Sequence, residues 1–372
     1  MANHNFKVVI VVGGPVGLTA AHARSQAGID FVVLESRGTL NPELSTVPTW
    51  WLRVMAQLGL LKRLQSIGSE LHHVTNWTVD SYQLKASRSP QTFKENLGDP
   101  EKANVYTGKK VINISEDNSG FAFRCEDGSS DPGSIVLGVG GVHSKVRNIM
   151  REHALRSSPL KVNEEQPYLC EYRALSCTFP RPDCCASGQV VETHGKDVSL
   201  QMLSSCDRSW MFIYERLKRP TQDRVWYSQK DVETLGIRWG RLPLGPTLKA
   251  TAVFATRYTA GMANLEEGVF SGRIVLAGDS CHKLAPNQGF GSSGIQDVVA
   301  LANELHLDLS VSGEFTDGGS HGLDQEAIAD IFHRYQQACK QPAEKDYYHL
   351  FGAHEDVCLE HLDSLDPGLL LS

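Results

Sequence analysis

Two carboxylates of this chain stand where an apolar strand ends. One is Asp279, in the stretch Gly272-Arg-Ile-Val-Leu-Ala-Gly278-Asp279-Ser-Cys-His-Lys-Leu-Ala-Pro286-Asn-Gln-Gly289-Phe-Gly291-Ser292-Ser-Gly294-Ile-Gln-Asp297. The β-branched run Ile274 to Ala277 reads as a buried strand, and Gly278-Asp279 hangs a carboxylate off its tip. A Pro/Gly loop follows and enters a helix from about Gly294 to Leu305. There Ile295, Val298, Val299, Leu301, Ala302 and Leu305 share one face. Free N–H groups at such a helix start, reinforced by the helix dipole, attract a phosphate or an electron-rich ring edge. An acidic strand tip beside them suits a ligand that carries both hydroxyls and negative charge. A plain Gly-Asp turn is the competing reading of these residues taken alone.

The second carboxylate is Glu35. Lys7 to Val12 reads as a strand, Gly13-Gly-Pro-Val-Gly17 as a tight turn, Leu18 to Ala27 as a small-residue helix, and Phe31-Val-Val-Leu34 as a second strand closed by Glu35. This βαβ unit places an acid at the end of its second strand, where it accepts hydrogen bonds from a ribose. The glycine pattern is incomplete. Aligned on Gly14 and Gly17, the first glycine of GxGxxG falls on Val12, and a β-branched residue resists positive φ. Either Gly13 re-forms the turn or the site is weakened.

Further elements must position these groups. Val54 to Leu64 reads as one amphipathic helix, and Ser81 to Pro100 as a polar, proline-interrupted loop with a short helix near Phe93 to Leu97. Val105 to Ile114 and Gly120 to Cys125 read as paired strands, with a turn at Asp127-Gly128. Ile135 to Gly138 is another buried strand, leading to the basic helix start Ser144-Lys-Val-Arg147. From Leu169 to Val269 the pattern turns β-rich, with strands at Val198 to Leu203, Trp210 to Tyr214 and Val225 to Tyr227. Ser271 returns to the α/β pattern, and a helix is expected from about Asp324 to Lys345. The expected organisation is α/β, with a discontinuous nucleotide-binding domain at 1–168 and 270–345, an inserted β-rich substrate domain at 169–269, and a C-terminal helix or tail at 346–372.

Composition narrows the function classes. A chain of 372 residues with 41% hydrophobic and 21% charged residues has the balance of a globular protein with ample core. Its net charge of −7 and the absence of basic runs interleaved with aromatics argue against a nucleic-acid partner. No apolar stretch is long enough to span a bilayer, and Met1 leads into a strand by Val8 without a signal-peptide pattern. The nine cysteines show no metal-ligand spacing, and adjacent Cys184-Cys185 suits neither a CxxC pair nor a zinc knuckle. A cytoplasmic location, no bound metal and a small-molecule substrate are therefore expected.

Taken in order, Val-Gly-Gly-Pro-Val-Gly-Leu-Thr-Ala-Ala with Glu35, Gly138-Val-Gly-Gly-Val-His-Ser-Lys-Val-Arg147 and Gly278-Asp-Ser-Cys-His with Gly289-Phe-Gly291 resemble the group A FAD-dependent monooxygenases, flavoproteins of the aromatic-hydroxylase fold. The look is nearest to fungal epoxidases and hydroxylases of meroterpenoid and indole-diterpene pathways. The resemblance implies a Rossmann-like FAD-binding domain, with Gly14 and Gly17 under the pyrophosphate, Glu35 on the adenosine ribose, Asp279 on the ribityl chain or pyrophosphate, and Gly289, Gly291 and Ser292 beside the flavin ring. It also implies active-site roles for Arg173, in Tyr172-Arg-Ala174, and for Tyr214, which could orient a polar substrate. The implied activity hydroxylates or epoxidises an aromatic or olefinic secondary-metabolite intermediate, with NAD(P)H as electron donor and O2 as oxidant. The chain departs from the pattern at Val12, at Gly140 in place of an aspartate, at Pro90 in place of an arginine, at Ser292-Ser293 in a shortened loop, and at Cys339 where the C-terminal helix usually carries an arginine. Those departures keep two alternatives open: a cyclase or isomerase working without redox chemistry, and a non-catalytic paralogue.

Overall fold

The computed structural model describes residues 6–40, 45–47, 51–67, 69–94, 104–117, 120–157, 162–250, 256–264, 269–283, 292–311 and 323–339. A six-stranded sheet grows from the apolar runs. Strands β1 (Lys7–Val11), β2 (Asp30–Leu34), β6 (Val105–Tyr106), β10 (Ile135–Gly138) and β17 (Ile274–Leu276) are parallel, in the order β17-β10-β1-β2-β6, with β16 (Phe270–Ser271) antiparallel at the edge. Alternate side chains leave opposite faces, and both faces are covered, so these strands are almost unbroken Val, Ile and Leu. On one face Val8, Ile10, Val33, Ile135, Leu137 and Val275 pack beneath α1 (Pro15–Gln26), α6 (Ser292–Val311) and α7 (325–339). On the other, Val9, Val11, Val32, Leu34, Val136 and Leu276 meet α4 (Lys145–Ser157) and a small antiparallel sheet of β7 (Val111–Asp117), β8 (Gly120–Cys125) and β9 (Ser130–Gly133). Each buried Val, Ile or Leu contributes about 1.5–3 kcal/mol over leaving it in water, which fixes the register.

The β-rich part is a nine-stranded sheet. Its order is β18 (His282–Lys283), β15 (Thr256–Asn264), β11 (Leu169–Pro180), β14 (Arg208–Thr221), β13 (Val198–Ser204), β12 (Gln189–His194), β4 (Ser69–Thr78), β5 (Gln83–Lys94) and β3 (Ser45–Val47). One face packs Leu175, Cys177, Val191, Leu200, Met211 and Ile213 against α5 (Gln229–Trp239) and the segment after it. The opposite face presents Leu71, Val190, Leu203, Trp210, Phe212 and Tyr214. Strand β18 follows directly on the Asp279 turn and pairs with β15, so the tip of β17 runs straight into this second sheet.

Several expectations need correction. Val54 to Leu64 is not one helix: α2 (Trp51–Gln57) and α3 (Leu61–Ile67) are separated at Gly59, which takes φ +69°, a conformation that stops a helix. Ser81 to Lys94 is not a loop, because Gln83–Lys94 forms β5 between β4 and β3; the rest of that segment, with most of the short helix expected near Phe93 to Leu97, lies outside the described residues. Leu71 pairs with Gln91 and His73 with Arg88, so β5 carries one extra residue beside Pro90, a bulge that accommodates the missing N–H. The nine-stranded sheet thus recruits β3, β4 and β5 as well as the strands from Leu169 onward. Val105–Tyr106 joins the parallel sheet rather than the β7–β8 hairpin. Residues Val225 to Tyr227 form no strand, and Trp226 is 77% exposed under the Arg224 guanidinium. Residues 346–372 lie outside the described residues. No helix among the described residues is long and apolar enough to cross a membrane.

Candidate functional site

The parallel register sets Leu34, Val11, Gly138 and Leu276 side by side. The residues that follow them therefore emerge at one edge, the carboxyl end where open α/β sheets bind ligands. Three of these tips turn through positive φ: Val12 at 93°, Gly141 at 69° and Gly278 at 62°. Two helices begin at the same edge. Gly14 is the N-cap of α1, with Pro15 in the first turn where its missing N–H costs nothing. The first turn of α6 comes so close that a Cβ at Gly294 would lie 2.8 Å from Val16 Cγ2 and 2.9 Å from Gly278 Cα. Two positive dipole ends thus converge on one crevice, an electrostatic setting for a pyrophosphate.

The glycines of the first turn differ in what they make possible. A Cβ at Gly17 would stand 2.1 Å from the Val12 carbonyl oxygen, so this glycine lets α1 close onto β1. A Cβ at Gly14 would meet nothing within 4 Å, so there the backbone faces open space that a ligand can fill. Gly13 does not re-form the turn: Val12 itself holds φ 93°, anchored by its N–H donating to the Leu34 carbonyl at 2.8 Å. For a β-branched residue that conformation is strained by about 1–3 kcal/mol.

Glu35 is buried to 1% exposure at the tip of β2. Its Oε2 accepts from Gly13 N–H at 2.9 Å and from Arg37 Nη2 at 3.3 Å. Its Oε1 accepts from Arg37 N–H at 2.8 Å, Arg37 Nε at 3.1 Å and the Ser36 hydroxyl at 3.2 Å. Burial pushes the carboxyl pKa up, but the Arg37 side chain and the two backbone N–H groups outweigh it and hold it below the ordinary value. Five donors fill a carboxylate with about four lone-pair sites. A ribose hydroxyl would therefore displace part of the Arg37 guanidinium, whose side chain is 35% exposed and so has room to withdraw.

Asp279 sits half-buried on a one-turn 3-10 helix, Gly278–Ser280. Its backbone is fixed by groups that sequence reading left unassigned. The Tyr168 hydroxyl donates to the Asp279 carbonyl at 2.9 Å. Arg147 donates through Nη1 to the Ser280 carbonyl at 3.1 Å and to Tyr168 Oη at 3.3 Å, and through Nη2 to the Val142 carbonyl at 2.5 Å, with its guanidinium 4.9 Å from the Tyr168 ring centroid. Gly141 N–H donates to Ser280 Oγ at 3.0 Å. Burial drives the Tyr168 phenol far up, so it stays a neutral donor, while Arg147 partly opposes that rise. This network ties the β10 turn to the β17 turn. The basic helix start at Ser144–Arg147 was the only sequence signal for it, since nothing about Tyr168 marks it in the chain.

The remaining candidates fall into two groups. Gly289 and Gly291 lie outside the described residues, and Ser292 is the first residue of α6. Arg173 and Tyr214 are described but not brought together. Arg173 pairs across the ladder with Glu215 and Ala174 with Tyr214, so the two side chains leave opposite faces of the sheet. Arg173 is bound to the buried Glu215 carboxylate, which also accepts from Arg238 Nη1 at 2.5 Å and Trp239 Nε1 at 2.9 Å, all on the α5 side. Tyr214 is 4% exposed, stacks with Phe212 at 6.4 Å between ring centroids, and its hydroxyl has no hydrogen-bond partner among the described residues.

Aligned strand tips, paired helix starts and a buried acid after the second strand define a dinucleotide-binding flavoprotein fold. The chain belongs to the FAD binding domain family, whose profile matches residues 5–165 and 248–315. It is 31% identical over 343 residues to the FAD-dependent monooxygenase DEP2 of Alternaria brassicicola, covering 82% of this chain and 64% of that protein. To the FAD-dependent monooxygenase ausM of Penicillium brasilianum it is 27% identical over 360 residues, covering 88% of this chain and 74% of that one. The chain thus spans a little under two thirds of the Alternaria protein. Among solved structures, 2,6-dihydroxypyridine-3-hydroxylase from Arthrobacter nicotinovorans superposes with a TM-score of 0.68 at 16% identity, covering 99% of this chain and 96% of that one. Klebsiella pneumoniae HpxO complexed with FAD and uric acid gives 0.65 at 18% identity, covering 95% and 93%. These likenesses establish the fold.

Proposed function

We propose that the chain binds FAD at the strand-tip crevice and acts as an FAD-dependent monooxygenase on an apolar aromatic or olefinic secondary-metabolite intermediate, with NAD(P)H as electron donor. The observation that carries this reading is the convergence of the α1 and α6 starts on the tips of β1, β2, β10 and β17, with Gly14 open to the crevice. Gly14 and Gly17 would admit the pyrophosphate, Glu35 the ribose, and the Asp279 and Gly141 turns the remainder of the cofactor. Bound FAD would supply the redox chemistry, taking a hydride from NAD(P)H and passing one oxygen atom of O2 to the substrate. The chain's own contribution is position and dryness. Arg147 and Tyr168 hold the Asp279 turn in place, and the nine-stranded sheet, joined to that turn through β18, would exclude water.

Trp210, Phe212, Tyr214, Val190 and Leu203 share one apolar face of the nine-stranded sheet, which would suit an apolar substrate, with the Tyr214 hydroxyl, unpartnered among the described residues, as a polar anchor. Arg173, committed to Glu215 on the far face, acts as a positioning residue that locks β11 to β14 and α5. The test is NAD(P)H oxidation coupled to O2 uptake by the FAD-loaded protein, screened over prenylated aromatic compounds and polyolefins. Substrate-dependent O2 uptake with an oxygenated product supports the proposal. Conversion of a substrate that proceeds equally without flavin and O2 would replace it with the cyclase or isomerase reading.

A further inference from the structure

The sheet face that carries Tyr214 changes character along its strands. Residues paired across neighbouring strands share a face, and each level of pairs lies about 6.8 Å beyond the last on that face. At the level of Trp210 the neighbours are Leu203 on β13, Val190 on β12 and Val74 on β4, all apolar. One level on, Phe212 is followed by Gln201, Glu192 and Asn76; at the level beyond, Tyr214 is followed by Ser199, His194 and Thr78. The polar side chains are tied together. Glu192 Oε1 accepts from Gln201 Nε2 at 2.8 Å, and His194 Nε2 lies 2.9 Å from Asn76 Oδ1. Glu192 Oε2 has His194 Nε2 4.0 Å away, too far for a hydrogen bond, so this oxygen keeps the capacity to accept. The carboxylate is within reach of a ligand, because the Glu192 side chain is 28% exposed. Burial raises the Tyr214 phenol pKa and the Glu192 charge adds to the rise, in keeping with a carboxylate close to the aromatic stripe of β14.

Taking this face, as above, to be the one that meets substrate, we propose that Glu192 is its specificity-determining residue and accepts a hydrogen bond from an O–H or N–H group on an otherwise apolar substrate. The body of that substrate packs along Trp210, Phe212 and Tyr214, and its donor group reaches across β13 to β12. The substrate class narrows accordingly to apolar molecules that carry one hydroxyl or ring N–H. A hydrogen bond to a charged acceptor is about twice as strong as one between neutral groups, and a half-buried carboxylate repels an anionic ligand. Acids and phosphorylated compounds are therefore poor substrates. A hydrocarbon of the same shape would cover the carboxylate without replacing the water it displaces, which is how a polar group rejects an analogue lacking the donor. Gln201 acts as a positioning residue, fixing Oε1 so that Oε2 is left to the ligand. His194, 51% exposed, stands on the solvent side of the pair. No single strand reveals the set, because Asn76, Glu192 and Gln201 come from three strands and meet only through the register.

Two probes test this by calorimetric titration, without flavin and again with FAD: 2-geranylphenol, and geranylbenzene, which lacks the hydroxyl. The proteins are wild type, Glu192→Ala, Glu192→Gln and, as control, Glu233→Gln on the exposed side of α5. Wild type and the control should bind the phenol at least about tenfold more tightly than the hydrocarbon. That preference should vanish in Glu192→Ala and fall to about threefold in Glu192→Gln, with the hydrocarbon bound as well as before or better. A merely structural Glu192 would instead weaken both probes together. The proposal is overturned by a preference that survives in Glu192→Ala, by equal binding of the two probes to wild type, or by binding of neither. Should Glu192→Ala fail to fold by circular dichroism, Glu192→Gln decides, and an unchanged preference there overturns it. Failure of the flavin reading is seen separately. A chain that binds no FAD yet keeps the Glu192-dependent preference supports the proposal, whereas FAD-dependent O2 uptake without that preference removes the proposal alone.

Discussion

Replacing Arg24 with methionine should make the chain more stable. Arg24 lies on the last turn of α1, fully buried, and its Nε, Nη1 and Nη2 have no hydrogen-bond partner among the described residues. Burial lowers its pKa from the ordinary arginine value to about 9, with the neighbouring Tyr335 opposing. At about 1.4 kcal/mol per pH unit, that depression corresponds to roughly 5 kcal/mol lost at neutral pH. The α1 dipole, favourable to a cation at this end, returns only about 0.3–1 kcal/mol. Methionine keeps the unbranched shape and removes the charge, so Arg24→Met should gain about 3–5 kcal/mol in urea unfolding at pH 7. The sign with pH follows from the lowered pKa. The folded state loses the proton first, so the wild-type deficit is complete below about pH 9 and shrinks as pH rises toward 12.5. Between pH 7 and 10.5 the gap between variant and wild type should narrow by about 2 kcal/mol, with titrations common to both cancelling. A variant no more stable than wild type, or a gap constant across that range, refutes the reasoning.

Three further outcomes follow from particular side chains. Val12→Gly should release the strain of φ 93° and gain about 1 kcal/mol in urea unfolding, since relief of 1–3 kcal/mol exceeds the entropy cost of glycine; a clear loss would mean the turn is unstrained. Glu35→Gln should destabilise at neutral pH by about 1–3 kcal/mol. Because the folded pKa of Glu35 is depressed, its contribution is present above 4.5 and lost as pH falls through that lower value, so wild type and variant should converge on acidification; a pH-independent gap contradicts the hydrogen-bond account. Tyr214→Phe should leave the ligand-free protein equal or up to about 1 kcal/mol more stable, because it deletes an unsatisfied buried hydroxyl, while lowering kcat/KM on substrate by about tenfold; loss of stability with unchanged kinetics would make Tyr214 structural.

What the sequence disclosed tracks what local pattern can encode. Val8 to Val11, Phe31 to Leu34, Ile135 to Leu137 and Ile274 to Leu276 are buried on both faces, so they appear as unbroken apolar runs, and their order gave the parallel sheet and its carboxyl edge. Glu35 and the Gly278 turn were legible because both follow such runs directly. Gln83–Lys94 was not, since its composition is polar and Pro90 reads as a breaker until the neighbouring strand supplies a bulge. Opposite sheet faces for Arg173 and Tyr214 depend on the β11–β14 register, which no single strand contains. Tyr168 at the Asp279 turn, Arg24 beside Tyr335, and His282 against Asp297 are meetings made only by tertiary packing.

The most direct test of the central claim is an FAD titration of the purified chain followed by flavin absorbance and fluorescence, with Gly14→Asp alongside. A Cβ at Gly14 meets no protein atom within 4 Å, so this variant keeps the fold while placing a carboxylate where the pyrophosphate is expected. The account predicts saturable binding of about one FAD per chain, with a perturbed flavin spectrum, and affinity at least about tenfold weaker in Gly14→Asp from like-charge repulsion. A wild-type chain that stays colourless at saturating FAD, or a variant that binds equally well, would contradict it.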